Sequence, residues 1–199
     1  MREISQIKDI FSRYGGLMKT SELSKERLYY QNIQRLEGEG YIEKVRYGYY
    51  RWAHDTQMDE AQIVSHLFPD GIFCMETAMY VYGYIDYLPE YWHIAVSKDS
   101  TKSRFNIDHP FVKPYYIEQA LLTLGATTEK IGDTEIIVYD RERLLCDCLR
   151  YRNRMDRELF SNVVRRYICD PERNISHLNE YAAKLRVSKK ARDLLAIWL

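Results

Sequence analysis

A change of hydrophobic period at Gly40 leaves few folds open to the N-terminal part of this chain. Before it, Leu28, Tyr29, Ile33 and Leu36 share one face at helical spacing. After it, Tyr41 to Val45 and Tyr49 to Trp52 are rich in the aromatic and β-branched residues that favour strands. Tyr47-Gly48 separates those runs and predicts a bulged hairpin tip with Gly48 left-handed. Ser24 suits the N-cap of the preceding helix, Glu26 its first turn and Gly40 its C-terminal exit. Upstream, Ile4, Ile7, Phe11 and Tyr14 mark an earlier helix that Gly15-Gly16 stop. Thr20 or Ser21 then caps a very short helix ending near Leu23. Helix, short helix, helix and hairpin in this order predict a winged helix-turn-helix over residues 1–54.

The polar face of the third helix carries the functional expectation. Arg27, Tyr30, Gln31 and Gln34 fall at i, i+3, i+4 and i+7, while Glu26, Glu37 and Glu39 fall on the flanks. Arg can fork onto guanine, Gln can pair with adenine, and Tyr can contact phosphate or base. Arg46 and Arg51 flank the hairpin tip, where a basic wing could hold the DNA backbone. The plainer reading is a small helical module with ordinary polar surface. The hairpin after the helix favours the DNA-binding one.

Length and charge add bounds. The 199 residues allow one large or two small domains. Lys+Arg and Asp+Glu are 29 each, so total charge says nothing for nucleic acid. Residues 1–54 hold ten basic against seven acidic residues, a net of +3; the remainder has nineteen against twenty-two, a net of −3. That sign fits a DNA-binding front and a different rear domain. No apolar run is long enough to span a membrane and Met1 leads into a polar amphipathic helix, so a cytoplasmic location without membrane partners is expected. Cys74, Cys146, Cys148 and Cys169 form no C-x-x-C pair, and buried reduced thiols are expected.

The remainder, 55–199, reads as a mixed α+β domain with a small β-sheet and a helical C-terminus. Asp55 to Asp59 reads as a linker, and a helix follows from about Glu60 to Leu67. Pro69-Asp70-Gly71 is a turn, and Met75 to Tyr82 a helix closed by Gly83. Tyr91 to Val96 reads as a buried strand with Phe111 to Ile117 as its neighbour. Ala126 to Ile131 and Glu135 to Tyr139 flank Gly132-Asp133 as a hairpin. From Asp140 helices run to the end, with apolar faces at Leu144, Leu145 and Cys148; at Leu159, Phe160, Val163, Val164 and Tyr167; at Leu178, Tyr181, Ala182 and Leu185; and at Leu194, Leu195 and Trp198.

No catalytic pattern emerges, and no cofactor or metal is expected. No two of His54, His66, His93, His109 and His177 stand at i, i+4, and there is no phosphate-binding glycine loop or G-x-S-x-G. His93, on a strand, reads as a structural histidine. Asp133-x-Glu135 is explained by its turn, and Asp140-Arg141-Glu142-Arg143 by a helix start. Two basic stretches remain: the loop with Lys98, Lys102 and Arg104, and a cluster with Arg150, Arg152, Arg154, Arg157, Arg165 and Arg166. Each reads as solvated surface, or alternatively as a second contact surface for DNA or an acidic partner.

The order of parts resembles the AbiEi family of antitoxins from type IV toxin–antitoxin systems. In front, Glu39 to Arg51 is similar to the family's helix, glycine, apolar strand, basic turn and aromatic wing. Behind, Glu76 to Gly83 is similar to the helix that opens its antitoxin domain, Trp92 to Val96 to its first strand, and Tyr139 to Cys148 to the segment leading its C-terminal helices. The resemblance implies binding to inverted repeats in the protein's own promoter, autorepression, and counteraction of a cognate nucleotidyltransferase-like toxin, by direct contact or indirectly. By position, the DNA contacts would be Lys25, Arg27, Tyr30, Gln31, Gln34, Arg46, Tyr47 and Arg51. The rival readings are a plain winged-helix regulator whose rear domain senses a ligand or protein, a DNA-targeted enzyme such as a nuclease, and a protein-binding module.

Overall fold

The protein is seen in a computed structural model that describes residues 3–53, 59–107 and 109–198, with the backbone alone at 195, 197 and 198. The expected linker at 55–58, His54, and the side chains of Leu195 and Trp198 fall outside the described residues. The architecture is α+β, in two compact units. One is Met1–Leu67 with Lys102–Phe111; the other is Phe68–Thr101 with Val112–Leu199. The expected boundary after residue 54 therefore moves. Arg46 explains why: its guanidinium donates to the carbonyls of Leu67 (3.1 Å) and Arg104 (3.0 Å), tying both later segments to the first unit.

The first unit runs α1 (Ile4–Arg13), β1 (Leu17–Lys19), α2 (Thr20–Lys25), α3 (Tyr30–Gly38), β2 (Ile42–Arg46), β3 (Tyr49–Trp52) and α4 (Glu60–Leu67). β3 is the central strand of an antiparallel sheet in the order β1-β3-β2. β1 was not expected; its three residues acquire strand form by pairing with Tyr49–Arg51. Ile7, Ile10 and Phe11 of α1, Leu23 of α2, Leu28, and Ile33 and Leu36 of α3 close over Met18, Ile42 and Trp52 in one apolar core. Gly48, at φ +78°, turns the β2–β3 hairpin in a conformation that an L side chain would strain.

α3 starts later than its sequence suggests. Ser24 does not cap it; Ser24 lies within α2 and its Oγ donates to the Thr20 carbonyl. α2 closes with Leu28 N–H bonded to the Leu23 carbonyl and Arg27 N–H to the Ser24 carbonyl, leaving Arg27 left-handed at φ +58°. Leu23 and Leu28 are both buried beneath this turn. Tyr29 then holds the N-cap position, its N–H bonded to Asn32 Oδ1 at 3.0 Å.

The second unit has a five-stranded mixed sheet, β6-β5-β4-β8-β7. Its strands are β4 (Ile72–Phe73), β5 (Trp92–Ser97), β6 (Val112–Ile117), β7 (Ala126–Ile131) and β8 (Thr134–Tyr139). β5 and β6 are parallel neighbours, and β7 and β8 are the expected hairpin. The helices are α5 (Met75–Val81), α6 (Gln119–Leu122), α7 (Arg141–Tyr151), α8 (Arg157–Cys169), α9 (Ile175–Lys184) and α10 (Ser188–Trp198). α7 is the hub: residues 142–149 are all buried, because α5, α8, α9 and α10 pack around it. Cys74, Cys146 and Cys148 are buried free thiols, but Cys169 is exposed at the end of α8, outside that helix's buried stripe. Among the described residues, no helix is long and apolar enough to cross a membrane.

Candidate nucleic-acid interface

α3 presents Tyr30, Gln31 and Gln34 to solvent over its first two turns. Gln34 Nε2 donates to Tyr30 Oη at 2.5 Å, which fixes these two side chains against each other. Tyr29 and Tyr30 are 59% and 69% exposed, unusually open for side chains of that size. Tyr29 was expected on the buried face; its place before the first helical turn carries it outward instead. Lys25 and Arg27 are also exposed, at the end of α2 and in the turn. Arg27 is therefore not one turn below Tyr30 on a shared helix face, as the spacing had suggested. Glu37 is exposed at i+3 from Gln34, so the acid-free surface is limited to the N-terminal part of α3. That is the part of a reading helix that reaches base edges.

A bulge between Lys44 and Arg46 breaks the alternation of β2. It places Ile42 and Val45 inward, three residues apart, and exposes Lys44. Arg46 is re-aimed: besides its two carbonyl bonds, its guanidinium lies 4.0 Å from the Tyr49 ring centre. Arg51 is ion-paired with Glu43, its partner across the sheet. Both arginines thus carry partners within the protein. The basic group at the tip is Lys44, whose Nζ stands 5.5 Å from the ring centre of Tyr47, itself 92% exposed. The signal for Lys44 was lost because a bulge cannot be read from alternation alone.

The residues of the two basic stretches have different surroundings. Lys98 belongs to the second unit and bonds Glu118 at 2.8 Å, whereas Lys102 and Arg104 belong to the first. The Arg104 carbonyl accepts from Arg46 and its guanidinium lies 5.6 Å from the Phe105 ring centre. Arg150 is exposed on α7. Arg152 lies 5.0 Å from the Phe160 ring centre, while Arg154 lines a different concavity.

Chemistry-bearing side chains elsewhere have structural duties. Asp140, Glu142 and His177 bring ligand-type atoms within 4.8 Å of one another. The Asp140 carboxylate already accepts from Arg143 N–H and Tyr181 O–H, and Glu142 from Asn174 N–H and Tyr167 O–H. Burial raises the pKa of both acids. Asp133 and Glu135 are exposed at the β7–β8 hairpin, with Glu135 opposite Lys130.

His93 is buried on β5, its backbone N–H bonded to Thr77 Oγ1 and its Nδ1 3.3 Å from Tyr115 Oη. Glu76 Oε1 stands 3.9 Å from Nε2, but burial, aided by Lys113, pulls the imidazole pKa from 6.5 down to about 4. The ring is neutral at pH 7 and the Glu76 contact is not an ion pair. Between those values the unfolded chain binds the proton that the folded one refuses. This group's contribution is thus complete above about pH 6.5 and is lost as the pH falls towards 4, by roughly 3 kcal/mol. Urea unfolding at pH 7.5, 6 and 5 should show His93→Gln with a shallower loss of stability than the parent. Parallel pH profiles would contradict a neutral buried His93.

No protein-family model matches the chain, and no curated protein matches it. Among solved structures, the RV2827C protein from Mycobacterium tuberculosis is similar, with a TM-score of 0.59 at 14% identity. The similarity covers 96% of this chain and 80% of that one. At that identity the likeness concerns the fold alone.

Proposed function

We propose that α1, α2, α3 and the β2–β3 hairpin form a winged helix-turn-helix that binds double-stranded DNA, and that the protein represses transcription from inverted repeats in its own promoter. One observation carries this reading: Tyr30, Gln31 and Gln34 stand exposed and acid-free on the first turns of α3, next in sequence to a hairpin whose tip exposes Lys44 and Tyr47. The side chains are those that pair with base edges and phosphates. Lys25 and Arg27 supply backbone contacts before α3. The antitoxin role, counteracting a nucleotidyltransferase-like toxin, rests on the AbiEi-like segments Glu76 to Gly83, Trp92 to Val96 and Tyr139 to Cys148. Rescue of growth on co-expression with a toxin encoded beside the gene tests it; a toxin that remains lethal at equal expression removes it. A plain regulator with a ligand-sensing rear unit is the second reading, favoured by a large cavity in that unit.

The two parts of the DNA site should respond differently to substitution. Gln31→Ala is expected to weaken binding to the operator by about 1–3 kcal/mol and to relax preference at one base position. Lys44→Ala should weaken binding to all sequences alike and lower the salt slope by about one. Both side chains are exposed, so circular dichroism should be unchanged. Operator affinity that is unaltered in Gln31→Ala and in Gln34→Ala would remove α3 as the reading helix.

A further inference from the structure

The second unit contains a cavity of about 790 Å³ framed by the start of α5, the edge strand β6, and the chain from the end of α7 into α8. That is within the size range of small-molecule sites. Lys113 and Tyr115 alternate on β6 and so share a sheet face. Tyr115 meets Tyr151 edge-on, with ring centres 5.5 Å apart. His93, on the neighbouring strand, lies beside Tyr115 with ring centres 5.5 Å apart. Tyr87, half exposed, completes an aromatic lining.

Two cations and two carboxylates line this cavity. Lys113 and Arg154 line it, and neither has a carboxylate at ion-pairing distance among the described residues. Of the two lining acids, Asp156 is occupied: its Oδ1 caps α8 by accepting from Glu158 and Leu159 N–H, and this holds its pKa below the usual range. The Asp156 carboxylate stays ionised against the N-terminal end of α8; Glu76 is the second acid, its Oε1 3.9 Å from His93 Nε2. Met75, beside Glu76, is buried at φ +46°, a left-handed conformation that a non-glycine residue adopts only when its surroundings impose it.

We propose that this cavity binds a small planar aromatic anion of mononucleotide size, its ring among Tyr87, Tyr115 and Tyr151 and its anionic group at Lys113 and Arg154. Aromatic walls favour a flat ring, and two cations without an ion-pair partner, Lys113 standing 6.0 Å from the Tyr115 ring centre, favour an anionic group over a neutral molecule. The volume favours a mononucleotide over an aromatic carboxylate, which would leave much of the space to water. This inference does not depend on the DNA-binding reading, since the site lies wholly within the second unit.

Calorimetric titration of the full chain tests it with four probes: the 5′-mononucleotides, their uncharged nucleosides, salicylate and inorganic phosphate. One-site binding of a mononucleotide is expected, at least about tenfold tighter than its nucleoside, and weakened by at least as much in Lys113→Gln/Arg154→Gln. Glu76→Gln should instead tighten it about threefold, by removing the opposing charge; a damaged fold would not do that. Binding of salicylate in preference to nucleotides would overturn the mononucleotide-sized occupant. Phosphate binding as tightly as any ring-bearing probe, affinity indifferent to all three substitutions, or no binding at millimolar concentrations would overturn it.

Discussion

Asp147→Ala is expected to destabilise the second unit by about 3–5 kcal/mol, the cost of leaving one member of a buried ion pair alone. Arg143 is 0% exposed and Asp147 3%. Arg143 Nε donates to Asp147 Oδ2 at 3.0 Å, and its Nη1 donates to the carbonyls of Leu121 and Leu124, each at 2.8 Å. The guanidinium also lies 4.1 Å from the Tyr139 ring centre. Without Asp147 a cation would remain in the middle of α7's packing with no counter-charge. Yet Arg143 Nη2 and Asp147 Oδ1 have no hydrogen-bond partner, so the net worth of the pair is small. The double variant Arg143→Met/Asp147→Leu should therefore recover much of the loss. Denaturant unfolding of the two variants measures both effects. A loss below about 1 kcal/mol for Asp147→Ala would contradict a desolvated pair.

Gly125→Ala should cost about 2–5 kcal/mol, combining left-handed strain with overpacking. Gly125 sits at φ +73° in the approach to β7, and its carbonyl accepts from Asp140 N–H at 2.7 Å. A Cβ there would stand 2.6 Å from Arg143 Cβ, 3.1 Å from Asp140 Oδ1 and 3.1 Å from Tyr181 Cε2. None of these is the free end of a flexible side chain. Gly132 is the control: it has φ +57° at the β7–β8 hairpin, and a Cβ would meet nothing within 4 Å. Gly132→Ala should carry only the backbone strain, about 1–2 kcal/mol. Thermal unfolding should separate the two by several degrees. Equal melting temperatures would show that Gly125 has room that these distances deny.

Both sites explain what the sequence made legible. Where apolar period and turn chemistry agree, elements lie where the pattern places them: β7–β8 about Gly132, α5 before Gly83, and the four C-terminal helices. β1 and β4, of three and two residues, carry no period; pairing alone makes them strands. The turn between α2 and α3 and the close of α9 lack a glycine marker, because Arg27 and Arg186, at φ +58° and +60°, hold places where glycine is usual. Misplacing the first of these extended α3 backwards and put Arg27 on the wrong face. The partners of Arg46 were hidden by the bulge, and that of Arg51 because Glu43 lies on the neighbouring strand. Glu142 and Arg143 looked like charges at a helix start; their burial comes from α8, α9 and the Leu121–Leu124 segment packing over α7. The tyrosine-lined cavity is assembled from four separate stretches of chain, a juxtaposition that spacing does not encode.

The proposed DNA-binding role is tested most directly by fluorescence anisotropy of the purified chain. The probes are DNA from upstream of its own gene and a scrambled duplex of equal length, at 50 and 200 mM salt. Binding to the upstream DNA about a thousandfold tighter than to the scrambled duplex, with affinity falling steeply as salt rises, is the predicted result. Equal affinity for both duplexes, or no binding at 50 mM salt, would contradict the assignment of α3 and the hairpin tip as a DNA reader.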